Sequence, residues 1–308
     1  MSRTEHPEAR IIVTPDGRRL TVETTGAERG RPVFLLHGTP GSRRGPKPRS
    51  SVLYRLGVRL ICYDRPGYGG SDRHEGRTVA DAAADVRAIA DSLGIERFSV
   101  VGRSGGGPHA LACAALLPDR VASTAVLVGV APVDAAGLDW FGGMTQANVR
   151  EYTDVATDAA ALTERLRLLA DRTATDPESL LDFLREQMTS PDRHVTNRVA
   201  VRRLLADTYV EALRAGPHGW VDDAVALRGV WGFSVDQINA PVRLWHGLED
   251  NFTPVSHSRW LASRIPGAEL VVEVETAHFG AVGILPSILA WLVSKHSDCA
   301  APEPFAPC

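Results

Sequence analysis

The stretch "VVGRSGGGPHA", Val100 to Ala110, sets one serine among glycines, directly after an apolar run and directly before a helix-like one. Gly102-Arg103-Ser104-Gly105-Gly106 fits Gly-x-Ser-x-Gly, the pattern of a nucleophile held on a sharp strand-to-helix turn. The glycines have a physical task there, because side chains beside so tight a turn would collide with the flanking strand and helix. A helix read from Pro108 to about Leu117 points its amino end at Ser104, and the Gly105 N–H is placed to stabilise an oxyanion. Serine and glycine are also ordinary residues of any such turn, so the pattern alone decides little. Its weight depends on the rest of the chain.

Short apolar runs bounded by turn residues recur at 32–37, 59–64, 98–101, 123–129, 242–247 and 269–274. Lacking clean alternation, they read as strands buried on both faces. Helical patterns lie between several of them. "TVADAAADVRAIADSLG" spaces Val79, Ala83, Val86, Ala90 and Leu93 three or four residues apart, with capping-box spacing from Thr78 to Asp81 and Gly94 at its end. Strand alternating with helix predicts an α/β fold with a mostly parallel sheet covered on both sides. From Pro132 to Gly229 no strand-like run appears. That region holds helix starts instead: Asp176 as cap with Pro177 in the first turn, and Ser190 with Pro191 in the same roles for one helix through Leu213. The expected organisation is a core in two parts, 1–131 and 230–295, an all-helical insert over 132–229, and a Pro/Ala tail over 296–308 expected to be mobile.

Of the 308 residues, 44% are apolar and 23% charged, an ordinary globular composition. The net charge of −3 gives no basic footprint for nucleic acid, which favours small-molecule partners. The first ten residues, "MSRTEHPEAR", lack the apolar core of a signal peptide. The uncharged run Val121 to Val133 is too short to span a bilayer and contains Pro132. Cys62, Cys113, Cys299 and Cys308 show neither metal-ligand spacing nor a dense framework, which fits a reducing cytoplasm, although Cys299 and Cys308 could close a loop in the tail. No metal or organic cofactor is implied, no membrane association is expected, and oligomeric state is not legible.

A serine hydroxyl needs a base, usually a histidine oriented by a carboxylate. His278, in "ETAHFGA", follows the last strand-like run and precedes the last helix. Asp250, in "LWHGLEDNFTP", follows another, ahead of a helix with Thr253 as its expected cap and Pro254 in its first turn. Taken singly, each suits a solvent-facing loop or a turn equally well. Together, Ser104, Asp250 and His278 each stand just past a separate predicted strand, where catalytic groups gather in α/β sheets. Glu249 and Asp134 are alternative acids. In "LLHGTPGS", Leu35 to Ser42, Gly38, Pro40 and Gly41 make a tight turn that leaves the Thr39 N–H able to face the second side of an oxyanion. His37, in the strand end, suits a structural hydrogen bond.

The "HGTPGS" turn, "YDRPGYGGSD" (63–72), "GRSGGG" and "HGLEDNFTP", followed by His278, resemble the α/β-hydrolase superfamily from about Val33 to Val293. The resemblance implies an eight-stranded, mostly parallel sheet with a helical cap inserted after the sixth strand. It also implies Ser104 as nucleophile, His278 as base, Asp250 as orienting acid, and Thr39 and Gly105 as backbone donors, in the chain order of that fold. Asp64 and Arg65 are then structural. The serine excludes the branches that use an aspartate nucleophile. Arg103, beside Ser104, receives no role.

The expected reaction is hydrolysis of an uncharged carboxylic ester, lactone or thioester through an acyl-enzyme. A carbon–carbon bond hydrolase, a perhydrolase, an acyl transferase, or a ligand-binding module on the same scaffold are the rivals. "GLDWFGGM" brings Trp140, Phe141 and Met144 near the sixth strand, and Phe279 adjoins His278, which suggests an apolar substrate pocket; the same residues suit a helical core equally well.

Overall fold

A computed structural model describes residues 9–298; of the expected tail, residues 296–298 belong to the last helix, and residues 299–308, with Cys299 and Cys308, lie outside the described ones. The chain runs β1 (Arg10–Val13), β2 (Arg19–Gly26), β3 (Arg31–Leu36), α1 (Ser50–Arg55), β4 (Val58–Tyr63), α2 (Asp81–Ser92), β5 (Phe98–Arg103), α3 (Gly106–Leu116) and β6 (Val121–Leu127). Six helices follow without a strand: α4 (Gln146–Thr157), α5 (Ala159–Thr175), α6 (Ser179–Arg185), α7 (Ser190–Thr196), α8 (Val199–Ala212) and α9 (His218–Arg228). The sheet resumes with β7 (Val242–Gly247), α10 (Val255–Arg264), β8 (Glu269–Glu273) and α11 (Ala281–Asp298).

The strands form one sheet in the order β1-β2-β4-β3-β5-β6-β7-β8, parallel from β4 to β8, with β1 and β2 antiparallel at one edge. This is the α/β-hydrolase fold. All six strand-like runs are strands, and β5 and β6 are buried on both faces because helices cover both sides. Val86, Ile89, Ala110 and Leu111 pack from α2 and α3 on one side, and Leu285, Leu289 and Leu292 from α11 on the other. β8 departs from expectation: as an edge strand it alternates between exposed and half-buried. The first two strands, "RIIV" and "RLTVETTG", are too short or too polar to stand out as apolar runs. They pair through register (Ile12 opposite Leu20, Val22 opposite Tyr63) across a turn closed by Gly17 at φ +86°.

Three local expectations are corrected. The helix expected through Leu213 from Ser190 breaks at Arg198, whose backbone is extended, giving α7 and α8; Thr189 rather than Ser190 precedes the first turn. Asp176 stands three residues before α6, accepting the Glu178 N–H at 3.2 Å. Thr253 does not cap α10, because its hydroxyl turns inward to the Val128 carbonyl at 2.8 Å. Phe279–Ser294 is also a longer uncharged run than Val121–Val133. By length and composition the helical stretch His278–Lys295 could reach across a bilayer; its apolar residues are those that cover the sheet.

Candidate active site

Parallel strands deliver their carboxyl ends to one edge of the sheet, where the loops after β3, β5, β7 and β8 meet. Ser104, immediately after β5, has φ +53°, in the left-handed region that a non-glycine residue rarely occupies. Two bonds hold it there: its N–H donates to the Leu127 carbonyl at 2.8 Å, and its carbonyl accepts from Gly107 at 2.8 Å. Neighbouring glycines are obligatory. A Cβ at Gly102 would overlap the Gly106 carbonyl, and one at Gly106 would overlap the Leu36 carbonyl. Helix α3 starts at Gly106, two residues before the expected Pro108, so Gly105 lies at its amino end.

Asp250 and His278 are brought together. Asp250, buried, accepts backbone N–H groups of Phe252 (2.9 Å) and Thr253 (3.0 Å) on Oδ1. On Oδ2 it accepts His278 Nδ1 at 2.8 Å, with His246 Nε2 at 3.3 Å. Burial works to raise the Asp250 pKa, but His278, His246 and these bonds outweigh it and hold the carboxyl well below its ordinary range. With Nδ1–H donated to a carboxylate, His278 keeps Nε2 as its basic nitrogen. Its loop, a single 3₁₀ turn over His278–Gly280, is tied down from α7: Asp192 accepts the backbone N–H of His278 (3.2 Å) and Phe279 (2.7 Å). Burial pushes Asp192 up to about 6 despite the opposing pull of His278. Glu249 is exposed, and Asp134 lines a different cavity.

The Thr39 and Gly105 backbone N–H groups have no hydrogen-bond partner among the described residues. Thr39 precedes a cis proline, Pro40, and its turn is fastened by a buried charge cluster. Arg65 donates to the carbonyls of His37 and Gly38 and pairs with Asp223 of α9 at 2.5 Å. Asp223 also accepts from Thr39 Oγ1 (2.5 Å), Tyr68 (2.8 Å) and Arg77 (2.6 Å). His37 is neutral by geometry: its Nε2 accepts from the Arg65 N–H at 3.1 Å, so Nδ1 carries the proton donated to the Gly38 carbonyl at 2.8 Å. Burial drives its pKa well down.

Ser104, Thr39, Gly105 and His278 line one cavity. Its far walls come from α4, α6, α8 and α9 through Asn148, Glu151, Tyr152, Leu184, Tyr209 and Trp220, with Phe252 and Phe279 beside the histidine. Of the four expected pocket residues, only Phe279 lies there. Trp140, Phe141 and Met144 do not line it: Trp140 is buried against Tyr152 and His257, donates Nε1–H to the Ala131 carbonyl at 2.8 Å, and with Phe141 is covered by the Arg228 guanidinium. Met144 belongs to the same core. Glu151, Tyr209, Asp192 and Asp223 escaped the sequence reading, since a single charged or aromatic residue on a helix carries no signal of the side it faces. Glu151 accepts Trp220 Nε1–H at 2.9 Å, and burial pushes it up to about 7.

Residues 31–282 match the family described as alpha/beta hydrolase fold. The chain belongs to that family. It is 25% identical over 284 residues to the 2-hydroxy-6-oxononadienedioate/2-hydroxy-6-oxononatrienedioate hydrolase of Klebsiella pneumoniae, covering 90% of this chain and 91% of that one. With the 2-hydroxymuconate semialdehyde hydrolase of Pseudomonas putida it shares 28% over 282 residues, 89% of each chain. The structure of an esterase from Rhodococcus superposes with a TM-score of 0.64 at 22% identity, over 92% of this chain and 99% of that chain. Hydrolysis of small molecules is what the named relatives share.

Proposed function

We propose that this chain is a serine hydrolase that opens a carboxylic ester, lactone or thioester through an acyl-enzyme. The observation that carries the reading is the buried Asp250 carboxylate on His278 Nδ1, at a cavity that also holds Ser104 on a left-handed turn. Ser104 Oγ attacks the substrate carbonyl while His278 Nε2 takes its proton. The Thr39 and Gly105 N–H groups receive the oxyanion, aided by the amino end of α3. His278 then returns the proton to the leaving group, and water repeats the sequence to release the acid. Residues 132–229 act as the cap, since α4, α6, α8 and α9 supply the walls opposite Ser104.

One observation favours a second reading. The relatives matched over nine-tenths of the chain are named as hydrolases of 2-hydroxy-6-oxo dioates, in which the bond broken joins two carbons. The same serine, histidine and oxyanion donors serve that cleavage. A fluorophosphonate probe with peptide mapping tests the shared core: label on Ser104, lost in Ser104→Ala, is expected. Label on another residue, or label surviving that substitution, removes the proposal. An aryl-ester panel from acetyl to decanoyl beside a vinylogous diketone acid then separates the two readings by product.

A further inference from the structure

One charged group in this cavity has no counter-ion. Among the described residues, the buried arginines Arg43, Arg65 and Arg77 are all paired: Arg43 with Asp64 and Glu211, and the other two with Asp223. Arg103, partly buried at the end of β5, has no ion pair and no side-chain hydrogen bond among the described residues. It stands between the main cavity and a smaller one lined by Leu35, Cys62, Leu127 and Leu285. That smaller cavity contains no acid, and its other cation, Arg43, is already neutralised. In the main cavity the sole carboxyl among the lining residues is Glu151, which faces the Trp220 indole and not Arg103. Tyr209 is the titratable neighbour that bears on Arg103.

Withdrawing a guanidinium from water without a partner is costly, and the fold gains nothing from it here. A functional group repays that cost when a ligand supplies the missing charge. The guanidinium presents a planar fork of N–H donors that matches a carboxylate. Arg103 lines the same cavity as Ser104, so an anion it holds shares that cavity with the reacting carbonyl. We propose that Arg103 is a specificity-determining residue that binds a carboxylate of the substrate, so that the preferred substrates are short acids carrying the scissile carbonyl, such as half-esters of dicarboxylic acids. The proposal rests on Ser104 as nucleophile and narrows the substrate from the uncharged ester expected from sequence to an anionic one.

The test is binding of butyrate and benzoate against butyramide and benzamide, read by calorimetry and by fluorescence of the intact protein, whose Trp220 lines the cavity. In wild type and in Ser104→Ala the carboxylates are expected to bind at least about tenfold tighter than the amides. Arg103→Gln is expected to lose that preference and Arg103→Lys to keep part of it. Equal binding of acid and amide in wild type, no carboxylate binding at tens of millimolar, or an unchanged preference in Arg103→Gln overturns the proposal. Should Arg103→Gln fail to fold by circular dichroism, the wild-type comparison and Arg103→Lys still decide. A carboxylate preference without fluorophosphonate label on Ser104 would remove the serine reading alone; label without the preference would remove the subsite alone.

Discussion

Replacing Asp250 with asparagine keeps the shape of the side chain and removes its charge. The asparagine carbonyl can still accept the Phe252 and Thr253 N–H groups, now bound at 2.9 and 3.0 Å. Its NH₂ then faces His278 Nδ1, which at 2.8 Å currently donates to Asp250. Two donors cannot share that contact, so His278 takes the other tautomer, with its proton on Nε2, and loses the lone pair that accepts the serine proton. The expected loss is about 10⁴-fold in kcat, equivalent to about 5 kcal/mol of transition-state stabilisation. Folding loses much less, about 1.5–3 kcal/mol for one hydrogen bond to a charged group. The assay is the rate of fluorophosphonate labelling beside a circular-dichroism melt. Labelling within about tenfold of wild type, in a folded Asp250→Asn variant, would refute the role given to Asp250; Glu249→Gln and Asp134→Asn are the controls expected to label normally.

Three further outcomes are expected. Gly105→Ala has an unstrained backbone at φ −55°, but its Cβ would lie within 2.9 Å of Thr39 Cβ; the two oxyanion donors are spread and kcat/KM on an aryl ester falls about 10²–10³-fold, a value near wild type counting against the donor pair. Asp223→Ala leaves Arg65 and Arg77 buried and unpaired, a cost of about 3–5 kcal/mol that a urea titration would show as a lower midpoint, and an unchanged midpoint would contradict the charge cluster. Glu151, raised by burial from 4.5 to about 7, favours the protonated form in the folded state. Its contribution is therefore complete below about pH 4.5 and is lost as pH rises to about 7, to the extent of at most about 3 kcal/mol. Thermal melts of Glu151→Gln should gain on wild type across that window, and a pH-independent difference would argue against the shift.

Legibility followed the kind of interaction involved. Five of the strand runs and helix α2 could be read because burial on both faces writes an unbroken apolar run and burial of one helical stripe writes a helical period; β8 was read from Leu270, Val271 and Val272 although it lies exposed to half-buried at the edge, and α3 from its place after the glycine turn. The β1–β2 hairpin could not, since β1 has only four residues with Arg10 exposed, and β2 carries the polar Thr21 and Glu23 at buried positions that it reaches by pairing with β4. The break between α7 and α8 was likewise hidden, because neither Asn197 nor Arg198 is a proline or a glycine.

The site divides in the same way. Ser104, Asp250, His278, Thr39 and Gly105 were named from the chain because each follows a strand whose carboxyl end must reach the same edge of a parallel sheet. That requirement is topological and survives without coordinates. Apart from Phe279, which adjoins His278 in the chain, the pocket wall was decided by tertiary structure alone. Trp140, Phe141 and Met144 turn into the core beside α9, while Glu151, Tyr209 and Trp220, scattered over 69 residues, converge on the cavity from α4, α8 and α9. Which face of an inserted helix meets Ser104 depends on how those helices pack against one another, a sum of many weak contacts that no short stretch of sequence records. Arg103 belongs to both levels: the motif fixes its place beside Ser104, and only the folded chain shows that it has no ion pair among the described residues.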